Sequence, residues 1–477
     1  MFSLLSVLIA ACSTPPQPTA HGVVIVYVDT LRADHMGFDG YDRPTSPRLD
    51  ALATDAAIFD RAYAPSPWTF SSTASLVTGL YPATHGAILP GEIRNEVAAK
   101  GGVVHLAEPF DTIAEIAGAA GVRTALLARN RYIGFGVEQG FEHYANPKKS
   151  GAANQTSKAL KWLDGIERDE RFLMIVHYMD VHTPNRPPAA HRKPFPAVAD
   201  MSVEEAREHA KFPKKYNKGA PRTKQGFAEA EAIRNGMYDA SIHFVDAEVG
   251  RLIDRVREER GDNVTFIFTA DHGEELWDHA ELEKSLYTDP RNIWGVGHGH
   301  AFFDETLRVP LLVHDPGRIA PGRHDTPVSL IDVMPTVVEL MELAHDGPVE
   351  GRSLLPVIAG DPGNPRAIVG DAVCFGTDKA ALIDGNLKYV RSPVEPPLLV
   401  DLAADPTEQE NLAPTKPELV ARLDAKLLDQ LRASRELGNR LRGDVEPKRI
   451  APSDEELEAL KALGYVWDDE DEGDSSR

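Results

Sequence analysis

The most informative pattern in the chain is a series of short apolar runs, each bounded by polar residues. The first run, residues 23–28, is continuous and rich in Val, which is typical of a strand buried on both faces. Four similar runs follow at residues 123–128, 172–178, 264–269 and 309–313, with helix-like segments at residues 112–120, 152–168 and 229–257. This alternation predicts an α/β fold with a mostly parallel central sheet sandwiched by helices. Ligands of such sheets bind beyond the carboxyl ends of the strands.

The pattern changes from about Pro365. Two short strand-like pieces, residues 380–383 and 387–390, precede an amphipathic helix that starts near Lys416 and has leucines at four-residue spacing. We therefore expect a small C-terminal α+β domain after the main one. The predicted divisions are a leader and linker at 1–20, the main domain at 21–364, the C-terminal subdomain at 365–466 and an acidic disordered tail at 467–477.

The first twenty residues have the features of an export signal. The mostly apolar run at residues 2–11 is too short to span a bilayer, ends in small residues and precedes Cys12. This arrangement resembles a bacterial lipoprotein signal, in which Cys12 is acylated and becomes the first residue of the mature protein. A plain secretory signal and a buried N-terminal segment are the alternatives. The lipoprotein interpretation predicts a protein of the cell envelope, lipid-anchored through Cys12 and facing the periplasm or the exterior.

Charge and composition restrict the partners. The 51 Lys and Arg residues against 73 Asp and Glu residues give a net charge of −22, which repels nucleic acid. With 42% hydrophobic and 26% charged residues in 477, the composition is typical of a folded enzyme. One segment, residues 185–224, is locally basic and has no strand pattern, so we expect a long loop able to steer an anionic substrate. A nucleic-acid-binding function is disfavoured.

Residues suited to metal chemistry follow two of the predicted strands. Asp29 comes directly after the first run, and Asp271 and His272 follow the run at 264–269. Because parallel strands end at one edge of a sheet, these side chains can meet there as ligands of one divalent cation. Taken singly, each aspartate also fits a helix cap or a turn.

Hydroxyl and imidazole groups add to this pattern. A Ser- and Thr-rich stretch within residues 67–82 opens a helix-like segment, and the free N–H groups of a helix start attract oxyanions. An ordinary capped helix has the same composition. His182, His298 and His300 also lie near predicted strand ends, and several histidines so placed indicate a functional site.

These segments resemble, in order, the sequence blocks of the sulfatase family within the alkaline phosphatase superfamily. The blocks are residues 28–35, 45–50, 76–82, 271–274, 297–300, 307–313, 332–336, 401–408 and 460–465. The resemblance covers about residues 21–466. It implies a sulfatase-like α/β fold and metal-dependent hydrolysis of a sulfate or phosphate ester, whose alcohol is a small molecule or a glycan.

The resemblance assigns the metal ligands. Asp29, Asp271 and His272 fall on positions that hold one divalent ion, for which Ca, Mn and Zn are the candidates. Ordinary sulfatases have a second aspartate directly after the first, where this chain has Thr30. With fewer carboxylates and an imidazole, the ligand set favours Zn or Mn over Ca.

The resemblance also places residues around the substrate. His182 and His298 fall on positions that contact the anionic group or the leaving oxygen, and we expect both to be catalytic. Arg32 and His300 are further candidates for substrate binding.

The chain departs from the family at the nucleophile. The family signature is Cys- or Ser-x-Pro-x-Arg, whose first residue becomes formylglycine and lies ten positions before the Gly of a Thr-Gly pair. Here that position, counted back from Gly79, is Thr69, and Ser71 and Thr73 replace Pro and Arg. Oxidation of a threonine carbon would give a ketone, so no formylglycine is expected. Relatives that transfer phosphoethanolamine or glycerol phosphate use Thr there, and a metal-activated Thr69 is the predicted nucleophile.

Three functions are compatible with this pattern. The first is a sulfatase-family hydrolase of sulfate or phosphate esters that works without formylglycine. The second is a phosphodiesterase or phosphotransferase of the phosphoethanolamine-transferase type. The third is a catalytically silent relative that binds anionic glycans, which the missing Pro and Arg near Thr69 favour.

Overall fold

The computed structural model describes residues 21–89, 102–147, 151–209, 224–289 and 294–450. The expected leader with Cys12, the sequence block at 460–465 and the acidic tail at 467–477 lie outside the described residues. Within the described ranges, no helix combines the length and the apolar composition that a membrane crossing requires.

The described strands and helices alternate along the first two thirds of the chain. The strands are β1 Gly22–Val28, β2 Ala57–Phe59, β3 Ala62–Tyr63, β4 Val103–Val104, β5 Arg123–Leu127, β6 His143–Ala145, β7 Phe172–Tyr178, β8 Val264–Ala270, β9 Glu275–Leu276, β10 Val296–Gly297, β11 Leu311–His314, β12 Gly322–His324, β13 Val328–Ser329, β14 Ile368–Gly370, β15 Ala380–Asp384, β16 Leu387–Arg391, β17 Leu398–Asp401 and β18 Arg449–Ile450. The α-helices are Pro47–Ala53, Thr69–Thr78, Pro82–His85, Ile113–Ala119, Ala152–Leu163, Ala189–Arg192, Val203–His209, Lys224–Arg260, Ala280–Leu286, Asp304–Leu307, Val333–Leu340, Leu355–Ile358 and Pro417–Arg442. Short 3-10 helices span Ala33–His35, Gly37–Asp39, Arg131–Gly134, Leu330–Asp332 and Ala413–Thr415.

An eight-stranded sheet forms the centre of the fold, in the order β12-β2-β11-β8-β1-β7-β5-β6. β1 pairs in parallel with both β7 and β8, whereas β11 runs antiparallel to its two neighbours. Every residue of β1, β7 and β8 is buried, which explains why these strands are uninterrupted apolar runs in the sequence. The predicted α/β fold with a mostly parallel central sheet is confirmed.

Helices cover both faces of this sheet. A threonine of helix Thr69–Thr78 donates to the hydroxyl of Tyr27 at 3.4 Å, and a threonine of helix Ala152–Leu163 lies 2.9 Å from the hydroxyl of Tyr178. Tyr27 is in register with His177, the residue before Tyr178. Because successive residues of a strand point to opposite faces, the two helices pack on opposite sides. His177 therefore points to the same face as helix Thr69–Thr78.

Two predicted segments differ in detail from the structure. The helix expected over residues 152–168 ends at Leu163, where an Asp-Gly pair of poor helix formers follows. The segment expected as a loop at 185–224 contains the short helices Ala189–Arg192 and Val203–His209 in its described part. The second of these begins with a reciprocal Ser-x-x-Glu cap at residues 202–205, a signal that its basic composition obscured.

The C-terminal region is a small α+β unit. Strands β14 to β17 form an antiparallel sheet, and helix Pro417–Arg442 packs against β15 and β16. Leu423, Leu427 and Leu431 are buried along one face of that helix at the predicted spacing. The boundary predicted near residue 365 stays a prediction.

Candidate active site

The carboxyl ends of β1 and β8 bring two aspartates together. Asp29 follows β1 and Asp271 follows β8, and the last residues of these neighbouring parallel strands are in register. Both carboxylates are fully buried. The backbone N–H groups of Thr30 and His272 donate to Asp271 Oδ1 at 3.0 and 2.8 Å. Thr30 adopts a left-handed backbone, with φ at 57°.

The hydroxyl of Thr69 belongs to the same group of buried polar atoms as the carboxylates of Asp29 and Asp271. It is the first residue of helix Thr69–Thr78 and is fully buried. The amide of Asn130 donates to Thr69 Oγ1 at 3.3 Å and to Asp29 Oδ2 at 2.8 Å. Asn130 thus connects the hydroxyl of Thr69 to the carboxylate of Asp29.

His272 supplies a ring nitrogen. Its Nδ1 lies 2.8 Å from the carbonyl oxygen of Gly273, which can only accept, so Nδ1 carries the proton and Nε2 has a free lone pair. Nε2 lies 3.3 Å from Thr69 Oγ1 and 3.4 Å from Asp271 Oδ2. Burial lowers the pKa of His272, which keeps the imidazole neutral and able to bind a metal.

The chemistry of this point fits a divalent cation. Asp29 Oδ1 and Asp271 Oδ2 are buried and have no hydrogen-bond partner, a costly arrangement for carboxylate oxygens. Burial and the charge of Asp29 raise the pKa of Asp271 to about 8. Burial also opposes the charge of Asp29, but the imidazoles of His182 and His177 outweigh it and lower the pKa of Asp29. Two buried carboxylates beside a ring nitrogen form a ligand set that a divalent cation can occupy.

Two polar residues of this centre were not predicted from the sequence. His177 Nε2 lies 3.4 Å from Asp29 Oδ2, and His177, Asp29 and Asp271 could together hold an ion. The signal for His177 was a single imidazole inside the otherwise apolar run of β7. Asn130 follows β5 by three residues. The rule that ligands bind beyond the carboxyl ends of the strands, which led to Asp29 and Asp271, therefore applies to Asn130 as well.

The predicted catalytic histidines lie beside the centre. The ring of His298 is 4.4 Å from that of His272 and 5.1 Å from that of His182, measured between centroids. His298 Nδ1 lies 3.1 Å from a carboxylate oxygen of the buried Glu274. The structure therefore groups His182 and His298 with the three predicted metal ligands, while their catalytic roles stay predictions.

Arg32 and His300 make other contacts. The guanidinium of Arg32 forms ion pairs with Asp34 and Asp278, each at 2.7 Å. His300 Nε2 lies 3.0 Å from an oxygen of each of two buried glutamates, Glu275 and Glu283. Binding of substrate by Arg32 or His300 stays a prediction.

Comparisons with known proteins define the class. The sulfatase family model matches residues 21–343. The arylsulfatase of Clostridium perfringens is 24% identical over 463 residues, which cover 82% of this chain and 89% of that protein. A solved protein in complex with its substrate D-glucosamine-2-N,6-O-disulfate has a TM-score of 0.70 at 17% identity, over 90% of this chain and 99% of that one.

A second solved structure, the phosphonate monoester hydrolase of Agrobacterium radiobacter, has a TM-score of 0.65 at 21% identity, over 87% of this chain and 96% of that one. The fold is thus shared with a protein whose substrate is a sulfated sugar and with a phosphonate monoester hydrolase. The chain belongs to the sulfatase family and is a sulfatase-like ester hydrolase.

Proposed function

We propose that this protein is a divalent-metal-dependent hydrolase of sulfate or phosphate esters in which Thr69 is the nucleophile. The observation that supports the proposal is the position of His272 Nε2, which lies close to both Thr69 Oγ1 and Asp271 Oδ2 in a group where Asp271 Oδ2 and Asp29 Oδ1 are buried without a hydrogen-bond partner. A binding protein does not require a buried hydroxyl at such a point.

Asp29, Asp271 and His272 would hold the ion, with the hydroxyl of Thr69 as a further donor. A divalent ion in this position lowers the pKa of a bound hydroxyl and neutralises charge on the ester. The rest of the chemistry falls to the side chains around it.

Asn130 orients the nucleophile. Its amide donates to both Thr69 and Asp29, which would hold the Thr69 oxygen in place beside the carboxylate. In the proposed reaction the Thr69 hydroxyl gives up its proton to water, and its oxygen attacks sulfur or phosphorus in line. A threonine ester forms while the bond to the leaving oxygen breaks, and water then hydrolyses that ester. The N–H groups at the start of helix Thr69–Thr78 and the imidazole of His182 would stabilise the non-bridging oxygens.

His298 is suited to protonate the leaving alcohol. Glu274 accepts from its Nδ1 and so orients the imidazole, which would act as the acid toward the leaving oxygen. His300 is less suited, because its Nε2 lies 3.0 Å from each of two carboxylate oxygens.

A phosphodiesterase or phosphotransferase activity is the second candidate, and Thr69 favours it. An ester of threonine has to be resolved by a second attack on sulfur or phosphorus. Phosphoryl enzymes commonly work through such a second displacement. An acceptor alcohol in place of water would make the reaction a transfer.

The test is turnover of an aryl sulfate, an aryl phosphate monoester and an aryl phosphodiester with Mn, Zn or Ca. Thr69→Ala should abolish turnover and Thr69→Ser should restore part of it, while Thr78→Ala, at the other end of the same helix, should retain activity. Equal activity of Thr69→Ala would remove Thr69 as the nucleophile. If the wild type turns over none of the three esters, the glycan-binding alternative would be favoured.

A further inference from the structure

A second group of metal-ligating side chains lies apart from the proposed active site. Glu275 is in β9, Glu283 is in helix Ala280–Leu286, and His300 follows β10. Their exposed fractions are 0%, 1% and 2%. His300 Nε2 lies 3.0 Å from Glu275 Oε2 and 3.0 Å from Glu283 Oε1, and one donor atom of each residue lies within 4.8 Å of the others.

Hydrogen bonds within this group do not provide a partner for every buried carboxylate oxygen. His300 Nδ1 lies 3.1 Å from the carbonyl oxygen of His298, an acceptor, so Nδ1 carries a proton. A proton on Nε2 can point well at only one of the two carboxylates that it faces. Glu275 Oε1 is buried and has no hydrogen-bond partner at all.

The charges do not balance either. Even with His300 protonated, the two glutamates leave one negative charge in a fully buried position. Among the described residues, no lysine or arginine pairs with Glu275 or Glu283.

A neighbouring cluster shows what a balanced group looks like in this protein. Glu305 lies 2.6 Å from His279 Nδ1, and Glu408 lies 2.7 Å from the ammonium of Lys388. His279 Nε2 lies 2.8 Å from the carbonyl oxygen of Thr407, so both ring nitrogens have an acceptor and the imidazolium is stabilised. Each glutamate of this cluster thus lies against a cation, and the ammonium of Lys388 pairs with Asp304 as well.

We propose that Glu275, Glu283 and His300 bind a second divalent cation of the zinc or manganese class, distinct from the ion of the active site. The cation takes the place of the Nε2 proton, and its two positive charges cancel those of the two carboxylates. Glu275 Oε1 adds a fourth donor atom if this carboxylate binds through both of its oxygens. Ligand atoms from different residues around a zinc ion lie about 3.3 Å apart, so the 3.0 Å separations need to widen only slightly.

The site has the local support expected of a metal ligand. Histidines that bind metals usually donate their other N–H to a carbonyl or carboxylate, as His300 Nδ1 does to the carbonyl of His298. The backbone N–H of Gly295 donates to the second carboxylate oxygen of Glu283. An ion here would join β9, helix Ala280–Leu286 and the segment after β10, and its role is structural.

Elemental analysis of the full-length protein, stripped of metal and reloaded with Zn²⁺, tests the proposal. The wild type should bind two equivalents, and Glu283→Gln should bind one. Asp271→Asn, which removes an active-site ligand, should also bind one, and the double variant none. Glu305→Gln in the balanced cluster is the matched control and should keep two.

Several results would overturn the second site. These are a wild type that binds no zinc, a wild type whose single equivalent is lost in Asp271→Asn, and a Glu283→Gln protein that binds as much as the wild type. Because the wild-type stoichiometry requires no variant to fold, the proposal can be decided even when Glu283→Gln is unstable. Retention of two equivalents by Asp271→Asn, with loss of one by Glu283→Gln, would instead contradict the active-site ligand assignment and leave the second site intact.

Discussion

Asn130 offers a sharp test of how the proposed nucleophile is held. Its Nδ2 donates to Asp29 and Thr69, while its Oδ1 accepts from the backbone N–H of Tyr132 at 3.0 Å and caps helix Arg131–Gly134. Asn130→Ala removes both functions. Asn130→Ser keeps a capping oxygen, but the shorter side chain does not reach Asp29.

The magnitudes follow from these bonds. A hydrogen bond to a charged group contributes about 1.5–3 kcal/mol, and about 1.4 kcal/mol corresponds to a tenfold change in rate. We therefore expect kcat/KM to fall about 10- to 150-fold in both variants. Loss of the cap should cost the alanine variant about 1 kcal/mol of stability, which the serine variant largely recovers.

The assay is kcat/KM on the aryl ester that the wild type cleaves fastest, with thermal unfolding measured on the same samples. Both variants should be slow, and only Asn130→Ala should also melt earlier. Wild-type kcat/KM in Asn130→Ser would refute the orienting role. Activity that recovers together with the melting temperature would show that the effect is one of stability.

Three further predictions concern pH, backbone space and location. Burial opposes the charge of His279, but the hydrogen bond and charge of Glu305 outweigh it and raise the pKa of His279 from 6.5 to about 9. This stabilisation is complete below pH 6.5 and is lost as the pH rises through 9. The free energy of unfolding should therefore fall by an amount of the order of 3 kcal/mol over that interval, and His279→Gln should flatten the curve; a variant with the wild-type slope would contradict this. A Cβ on Gly273 would lie 1.9 Å from the carbonyl oxygen of Glu305, so Gly273→Ala should lower the melting temperature, whereas Gly118→Ala in an open helical position should not; equal melting temperatures would count against the argument. Cys12→Ser should release the protein from membranes, and continued sedimentation with membranes would speak against lipidation.

The central strands were predictable because burial on both faces leaves a simple trace in the sequence. β1, β7 and β8 have no solvent-facing side, so each is a run of apolar residues that ends in polar ones. The meeting of Asp29 with Asp271 follows from the rule that parallel strands end at one edge. The order of the strands and the antiparallel direction of β11 were not predictable, since pairing partners leave no local signature.

The parts of the site that depend on packing were missed. His177 lies inside an apolar run, where composition gives no indication that its ring faces Asp29. The contacts of His300 with Glu275 and Glu283 depend on how helix Ala280–Leu286 packs against the segment after β10. Sequence spacing alone suggested that His300 works beside His298, but the two side chains of this Gly-separated pair point to different groups.

The direction of β1 determines where the N-terminus of the described chain lies relative to the active site. The chain enters the sheet at Gly22 and reaches Asp29 seven residues later. Asp29 thus lies at the opposite end of the strand, roughly 20 Å away. A membrane anchor attached ahead of His21 would therefore hold the protein at the end of the sheet opposite to the active site. The active site would then face away from the membrane and would be accessible to substrates that diffuse in solution.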